Sequence, residues 1–169
     1  MGKRIVLTGA PGCGKTSVVN ALAKMGYYTI PEMARMIIEE GRCLPQNDFD
    51  GFEREIIRRQ LEYESRLGAK RAYLDRGVGD IPGYYMNAKM EIPDDIQRIA
   101  DNHRYDSIFL LELNPIIYKR DFVRRETFEE AQKLEGCLYR SYKMLQYDLL
   151  VVPPARSPEI RAEYILANS

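Results

Sequence analysis

Arg4-Ile5-Val6-Leu7-Thr8-Gly9-Ala10-Pro11-Gly12-Cys13-Gly14-Lys15-Thr16 is the stretch that decides the fold. Arg4–Thr8 is an apolar run of strand length, and Gly9–Thr16 fits the pattern G-x-x-x-x-G-K-[ST] at each fixed position. Glycines let successive backbone N–H groups converge on one concavity that side chains would block. The residues that follow, Ser17-Val18-Val19-Asn20-Ala21-Leu22-Ala23-Lys24-Met25, read as an amphipathic helix closed by Gly26. Its N-terminal end adds positive potential to the same concavity. Strand, loop and helix together predict a cradle for the phosphates of ATP. Gly9, Pro11, Gly12, Cys13, Gly14, Lys15, Thr16 and Ser17 are its contacts, with the backbone of Cys13 mattering more than its thiol. Lys15 is expected to reach the β- and γ-phosphates and the Thr16 hydroxyl to ligate Mg²⁺.

Outward from this core, short apolar runs alternate with helical periods, which indicates an α/β domain with a mostly parallel sheet. The expected strands are Arg4–Thr8, Tyr27–Ile30, Ala72–Asp75, Ser107–Glu112 and Leu149–Val152. Expected helices run from Glu32 to Glu40, Phe49 to Leu67, Thr127 to Tyr147 and Pro158 to Leu166. Thr127-Phe128-Glu129-Glu130 is a capping box, and Ser157 caps a helix with proline at its first position. Two stretches, 43–48 and 77–93, read as loops.

The chain has 169 residues, enough for one domain with one sizeable core. Lys plus Arg and Asp plus Glu both number 25, so the net charge is zero. That balance argues against a dedicated nucleic-acid or membrane-surface protein, whose affinity rests on excess positive charge. Three cysteines without a C-x-x-C pair fit a reducing compartment. Neither a signal-peptide pattern nor a membrane-length apolar run is seen, and the expectation is a soluble cytoplasmic protein, monomeric or homodimeric.

Beyond the loop, Arg71-Ala72-Tyr73-Leu74-Asp75-Arg76-Gly77 ends a strand in a carboxylate. The carboxyl edge of an open α/β sheet is where ligands bind. Asp75 there can hold Mg²⁺ directly or through water, and Arg76 can face a phosphate or an acceptor. Tyr28-Thr29-Ile30-Pro31-Glu32-Met33-Ala34-Arg35 brings Glu32 to the same edge, where a carboxylate can position or deprotonate an acceptor hydroxyl. Arg35 follows within one helical turn. Tyr118-Lys119-Arg120-Asp121-Phe122-Val123-Arg124-Arg125 is a basic run of the kind a lid over phosphates uses, and Arg120 and Arg124 share a helical face. The only histidine, His103, sits at a helix end and reads as structural.

With these segments in place, the chain resembles the small P-loop kinases related to nucleoside and nucleotide kinases, and most closely the compact "AAA domain" group similar to ribosylnicotinamide kinase. The resemblance runs from Ile5 to Leu166 and rests on Gly9–Thr16, Pro31-Glu32 with Arg35, Leu74-Asp75-Arg76-Gly77, 118–126 and 145–153. It implies a P-loop NTPase three-layer α/β/α sandwich with a five-stranded parallel sheet in the order 2-3-1-4-5, a single domain over 1–169 and a lid at about 116–127. By the same resemblance, Glu32 is the base for a sugar hydroxyl, Asp75-Arg76 is the strand-end pair, and the lid arginines are among Arg120, Arg124 and Arg125. The base of ATP would lie between the lid and Pro153-Pro154. One departure is Gly77, where thymidylate-type enzymes carry Ser, Tyr or His.

These readings point to an ATP- and Mg²⁺-dependent phosphotransferase with a small-molecule acceptor such as a nucleoside, nucleotide or related metabolite. The alternative is an ATPase switch or partner-binding module with water as acceptor, since the same loop serves both. A nucleic-acid end kinase would need a basic groove, to which Arg54, Arg58 and Arg59 are the candidates.

Overall fold

Short strands with side chains buried on both faces need helices above and below them. The computed structural model describes residues 2–41, 43–114 and 127–169. Its strands are β1 (Arg4–Thr8), β2 (Tyr28–Ile30), β3 (Ala72–Asp75), β4 (Ser107–Leu111) and β5 (Leu149–Val152). They form one parallel sheet in the order β2-β3-β1-β4-β5. The helices among the described residues are α1 (Lys15–Lys24), α2 (Met33–Glu40), α3 (Phe49–Ser65), α4 (Ile81–Ala88), α5 (Asp94–Asn102), α6 (Phe128–Met144) and α7 (Pro158–Ala167).

The period of two along the strands sorts the core into two layers. Ile5, Leu7, Tyr73 and Phe109 pack against α1 and α7 on one face. Val6, Leu74 and Ile108 pack against Met33 of α2, Ile57 of α3, Ile81 and Tyr85 of α4 and Ile96 of α5 on the other. Helix α6 serves both, with Ala131 in the first layer and Tyr142 in the second. Its capping box forms as expected: Glu130 N–H donates to Thr127 Oγ1 at 3.2 Å and Thr127 N–H to Glu130 Oε2 at 2.6 Å. Among the described residues no helix is long and apolar enough to cross a membrane.

Only 89–93 of the stretch 77–93 is a loop. A 3-10 turn at Val78–Asp80 leads into α4, which buries Ile81, Pro82, Gly83 and Tyr85. Its breakers have other uses. Pro82 lies in the first helical turn, where no N–H is needed. A Cβ on Gly83 would stand 3.1 Å from the Leu138 Cα, so this glycine lets α4 and α6 touch backbone to backbone. Smaller differences fall at element ends: β2 begins at Tyr28 rather than Tyr27, β4 stops at Leu111, and α2 begins at Met33 with Glu32 as its N-cap.

Gly77 has a steric reason. A Cβ there would come within 2.9 Å of both the Tyr105 ring and Val6 Cγ2. Tyr105 is not free to retreat, because its hydroxyl accepts from Val78 N–H at 2.8 Å and donates to Glu64 Oε1 at 2.9 Å. Gly77→Ala is expected to destabilise the protein by about 1–3 kcal/mol through overpacking. Urea unfolding should show a lower midpoint at unchanged slope; an unchanged midpoint would refute this account.

Candidate active site

Parallel register brings the ends of β1 and β3 side by side, with Leu7 opposite Asp75. The loop from Gly9 to Gly14 leaves β1 there and turns into α1 through Gly14, whose φ of 92° suits a residue without Cβ. Lys15 is only 5% exposed. Its ammonium curls back over the loop, donating to the carbonyls of Gly9 at 2.7 Å and Ala10 at 2.9 Å. Thr16 Oγ1 donates to Asp75 Oδ2 at 2.8 Å. The other Asp75 oxygen, Oδ1, is buried and has no hydrogen-bond partner among the described residues. Burial raises the Asp75 carboxyl above its ordinary value, and Glu32 adds to this against the pull of Lys15 and Arg76.

Arg76 is the hub of the adjoining wall. Its Nε donates to Glu32 Oε1 at 3.0 Å, and one terminal nitrogen donates to Asp80 Oδ1 at 3.1 Å and Gly9 O at 3.2 Å. The Tyr84 ring lies 5.3 Å from its guanidinium carbon. The backbone at Arg76 has φ 79°, an uncommon conformation for a residue with a Cβ. It is held there by N–H donation to Leu7 O at 3.0 Å and by the side-chain bonds, as strained residues at functional sites are. Asp80 is fixed in turn by Thr8 Oγ1 and the Tyr142 hydroxyl, both donating at 2.6 Å. Burial alone would lift the Glu32 carboxyl. Arg76, Lys15 and Arg35 outweigh it and hold Glu32 below the ordinary 4.5.

A cleft of about 900 Å³ opens over this wall. Pro11, Gly12, Gly14, Lys15 and Thr16 line it from the loop, and Glu32, Arg35 and Arg76 from the strand ends. Phe49, Phe52, Glu53 and Ile56 of α3 face Tyr84 and Asn87 of α4 across its remainder. One open cleft therefore joins a phosphate-loop floor to a carboxylate–guanidinium pair and a half-apolar pocket.

A family model described as AAA domain matches residues 4–160. The chain belongs to this AAA domain family. No curated protein matches it. Solved structures similar to this AAA domain include a NadR protein in complex with NR, at 17% identity and TM-score 0.72, covering 98% of this chain. The chain spans 50% of that NadR chain. A thymidylate kinase from Ehrlichia chaffeensis, at 14% identity and TM-score 0.65, covers 99% of this chain and 98% of its own. A deoxyadenosine kinase from M. mycoides, solved with dCMP and dCDP, has 14% identity and TM-score 0.65 over 98% of this chain and 97% of its own. At these identities the likeness is one of fold.

Most of the residues singled out from the sequence converge in this AAA domain. Glu32, Arg35 and Arg76 share the cleft with the loop, and Asp75 lies buried behind Thr16. Gly9, Cys13, Ser17 and Pro153 do not line the cleft; Cys13 is buried, Ser17 is exposed on the first turn of α1, and Pro153 follows β5. Arg120, Arg124 and Arg125 lie outside the described residues. Arg54, Arg58 and Arg59 do not form a basic groove: each guanidinium is engaged by carboxylates, Asp50 and Asp95 for Arg54, Glu55 and Glu62 for Arg58, Glu40 and Glu55 for Arg59. His103 meets Glu64 Oε2 at 2.8 Å, a contact away from the cleft.

Three residues of the AAA domain escaped sequence reasoning. Asp80 falls inside the stretch read as a loop. Glu53 sits on the apolar stripe of α3, four residues from Phe49 and from Ile57; a charge in that register was the available signal. Arg161 on α7 carries no local pattern at all. It is 4% exposed and donates to the carbonyls of Glu112, Val152 and Pro153, each at 3.0 Å, and to that of Cys13 in the phosphate loop. Arg161→Met is expected to lower stability by roughly 2–4 kcal/mol, since it leaves buried carbonyls unpaired. If the loop holds ATP as its sequence pattern leads one to expect, the variant should also bind it more weakly by loosening the loop. Thermal unfolding with and without ATP–Mg²⁺ tests both, and an ATP-induced rise in Tm as large as the wild type's would sink the loop-positioning role.

Proposed function

We propose that this AAA domain is a P-loop kinase that transfers the γ-phosphate of ATP to a hydroxyl of a small acceptor, a nucleoside, nucleotide or related metabolite. The observation that carries the proposal is the shared cleft, in which the phosphate loop and the Glu32–Arg76 pair face one space large enough for both substrates. A switch with water as acceptor has no use for a half-apolar pocket on the far side of its attacking group.

In this reading the loop N–H groups and Lys15 bind the β- and γ-phosphates, Lys15 exchanging the Gly9 and Ala10 carbonyls for phosphate oxygens. The Thr16 hydroxyl and Asp75 would hold Mg²⁺. Their adjacency, and the unpartnered Asp75 Oδ1, fit a cation that prefers oxygen donors. When bound, Mg²⁺ neutralises charge on the β- and γ-phosphates. Glu32 accepts a hydrogen bond from the acceptor hydroxyl and orients its oxygen. A carboxylate held below its ordinary value is a weak base. That suits a loose phosphoryl-transfer transition state, in which the attacking oxygen gives up its proton late. Arg76 fixes Glu32, and with Arg35 adds positive potential on the acceptor side. Arg120, Arg124 and Arg125 stay in the scheme on their sequence spacing alone, as cations for the transferring phosphoryl group.

The test is transfer of labelled γ-phosphate from ATP–Mg²⁺ to nucleosides, mononucleotides and pyridine ribosides, with Lys15→Ala as control. A labelled small product lost in the control supports the kinase. Slow release of phosphate, unchanged by every acceptor, would replace it with the ATPase reading.

A further inference from the structure

Glu53 is not explained by the fold. It is 2% exposed, yet it lines the cleft among Phe49, Phe52 and Ile56, and its Oε2 has no hydrogen-bond partner among the described residues. A buried carboxyl oxygen without a partner is destabilising, and native proteins satisfy or remove such atoms unless a ligand completes them. Arg76, the cation whose charge acts on Glu53, does not do so: it directs its donors to Glu32, Asp80 and the Gly9 carbonyl.

Building on the kinase reading above, we propose that Glu53 reads the acceptor, presenting a carboxylic acid O–H and C=O side by side to a planar neutral ring that carries an adjacent hydrogen-bond acceptor and donor. This is the amidine or lactam edge of a nucleobase, and the aromatic and aliphatic side chains around Glu53 supply the walls for such a ring. The charge state agrees. Burial pushes the Glu53 carboxyl up to about 8, with Arg76 opposing and Asp80 reinforcing the shift. Tyr84 and Tyr85 of α4, the other titratable groups that sense Glu53, are themselves raised by burial and remain neutral. At pH 7 Glu53 is therefore mainly an acid with a proton to donate. As pH rises through about 8 the donor is lost and the new charge repels a ring nitrogen or carbonyl, so acceptor affinity falls on the alkaline side.

Equilibrium dialysis of labelled adenosine, cytidine, guanosine and thymidine against the whole protein without ATP reads this pocket apart from transfer. At least one should bind at pH 7. If it is adenosine, purine riboside, which lacks the exocyclic amine, should bind roughly tenfold or more weakly. Glu53→Leu should weaken the bound nucleoside roughly 30-fold, and Glu53→Gln, which keeps a donor beside an acceptor, should bind within about threefold of wild type. The wild-type affinity should drop above pH 8, and that of Glu53→Gln should not. Should Glu53→Leu fail to fold, the Glu53→Gln comparison and its pH profile decide alone. Failure of Glu53→Gln to retain binding, preference for a cationic pyridinium riboside, or no nucleoside bound by the folded wild type would overturn the proposal. Binding without transfer from ATP would instead remove the kinase reading and leave Glu53 its role. Transfer with an unchanged acceptor KM in Glu53→Leu would do the reverse.

Discussion

Lys15→Ala is expected to lose tight ATP binding and to lower phosphoryl transfer by on the order of 10³ or more, as removal of a preorganised cation from a water-poor site does. The side chain is almost fully buried, and its ammonium is held by two loop carbonyls rather than by a carboxylate. It is thus a charge stored against the loop with no anion directly bonded to it among the described residues. Phosphate oxygens offer that anion. The variant should still fold, because Lys15 contributes no ion pair to the core among the described residues. ATP titration by calorimetry and the label-transfer assay check the two parts. A folded Lys15→Ala protein that bound ATP as tightly as wild type would remove the loop from the site.

Glu32→Gln should behave differently: ATP binding near wild type, transfer down by roughly 10²–10⁴, the range of a lost positioned acid–base group. The amide keeps the shape but can neither take the acceptor proton nor pair as strongly with Arg76. Arg76 itself should stay in place, since Asp80 and the Gly9 carbonyl still hold it. The pH dependence follows from the direction of the shift. Glu32 lies below the ordinary 4.5, so its carboxylate persists through the neutral range, and transfer should fall only as pH drops below that value. The stabilisation from its ion pair has the same sign, present above 4.5 and lost as pH falls through the depressed value. Full transfer by Glu32→Gln would show that another group orients the hydroxyl.

The sheet and the phosphate loop were legible because their signals are local. Strand runs such as Ile5-Val6-Leu7 are apolar on both faces, and the loop glycines have fixed spacing. The acceptor wall was harder to read. Gly79, Pro82 and Gly83 look like turn breakers in sequence, but the two glycines admit Tyr142 and Leu138 of α6, a reason that exists only once α4 and α6 are packed. With that stretch taken as a loop, Asp80 lost its context, although it anchors Arg76. Glu53 was hidden for a related reason, since helical spacing marks a face as buried without saying whether a core or a cleft covers it. Arg161 binds carbonyls, which no side-chain pattern can advertise.

Arg161 also orders events in time. Its bond to Cys13 joins residues 148 apart in the chain, so the loop after β1 is braced by a helix that follows the last strand of the sheet. A growing chain that has emerged through β5 has every strand of the sheet, with β1 already flanked by β3 and β4. What it lacks is the guanidinium that fastens the loop to the ends of β4 and β5. Secondary structure and sheet can therefore precede the finished loop during synthesis, and the brace between the loop and the ends of β4 and β5 forms only when α7 docks.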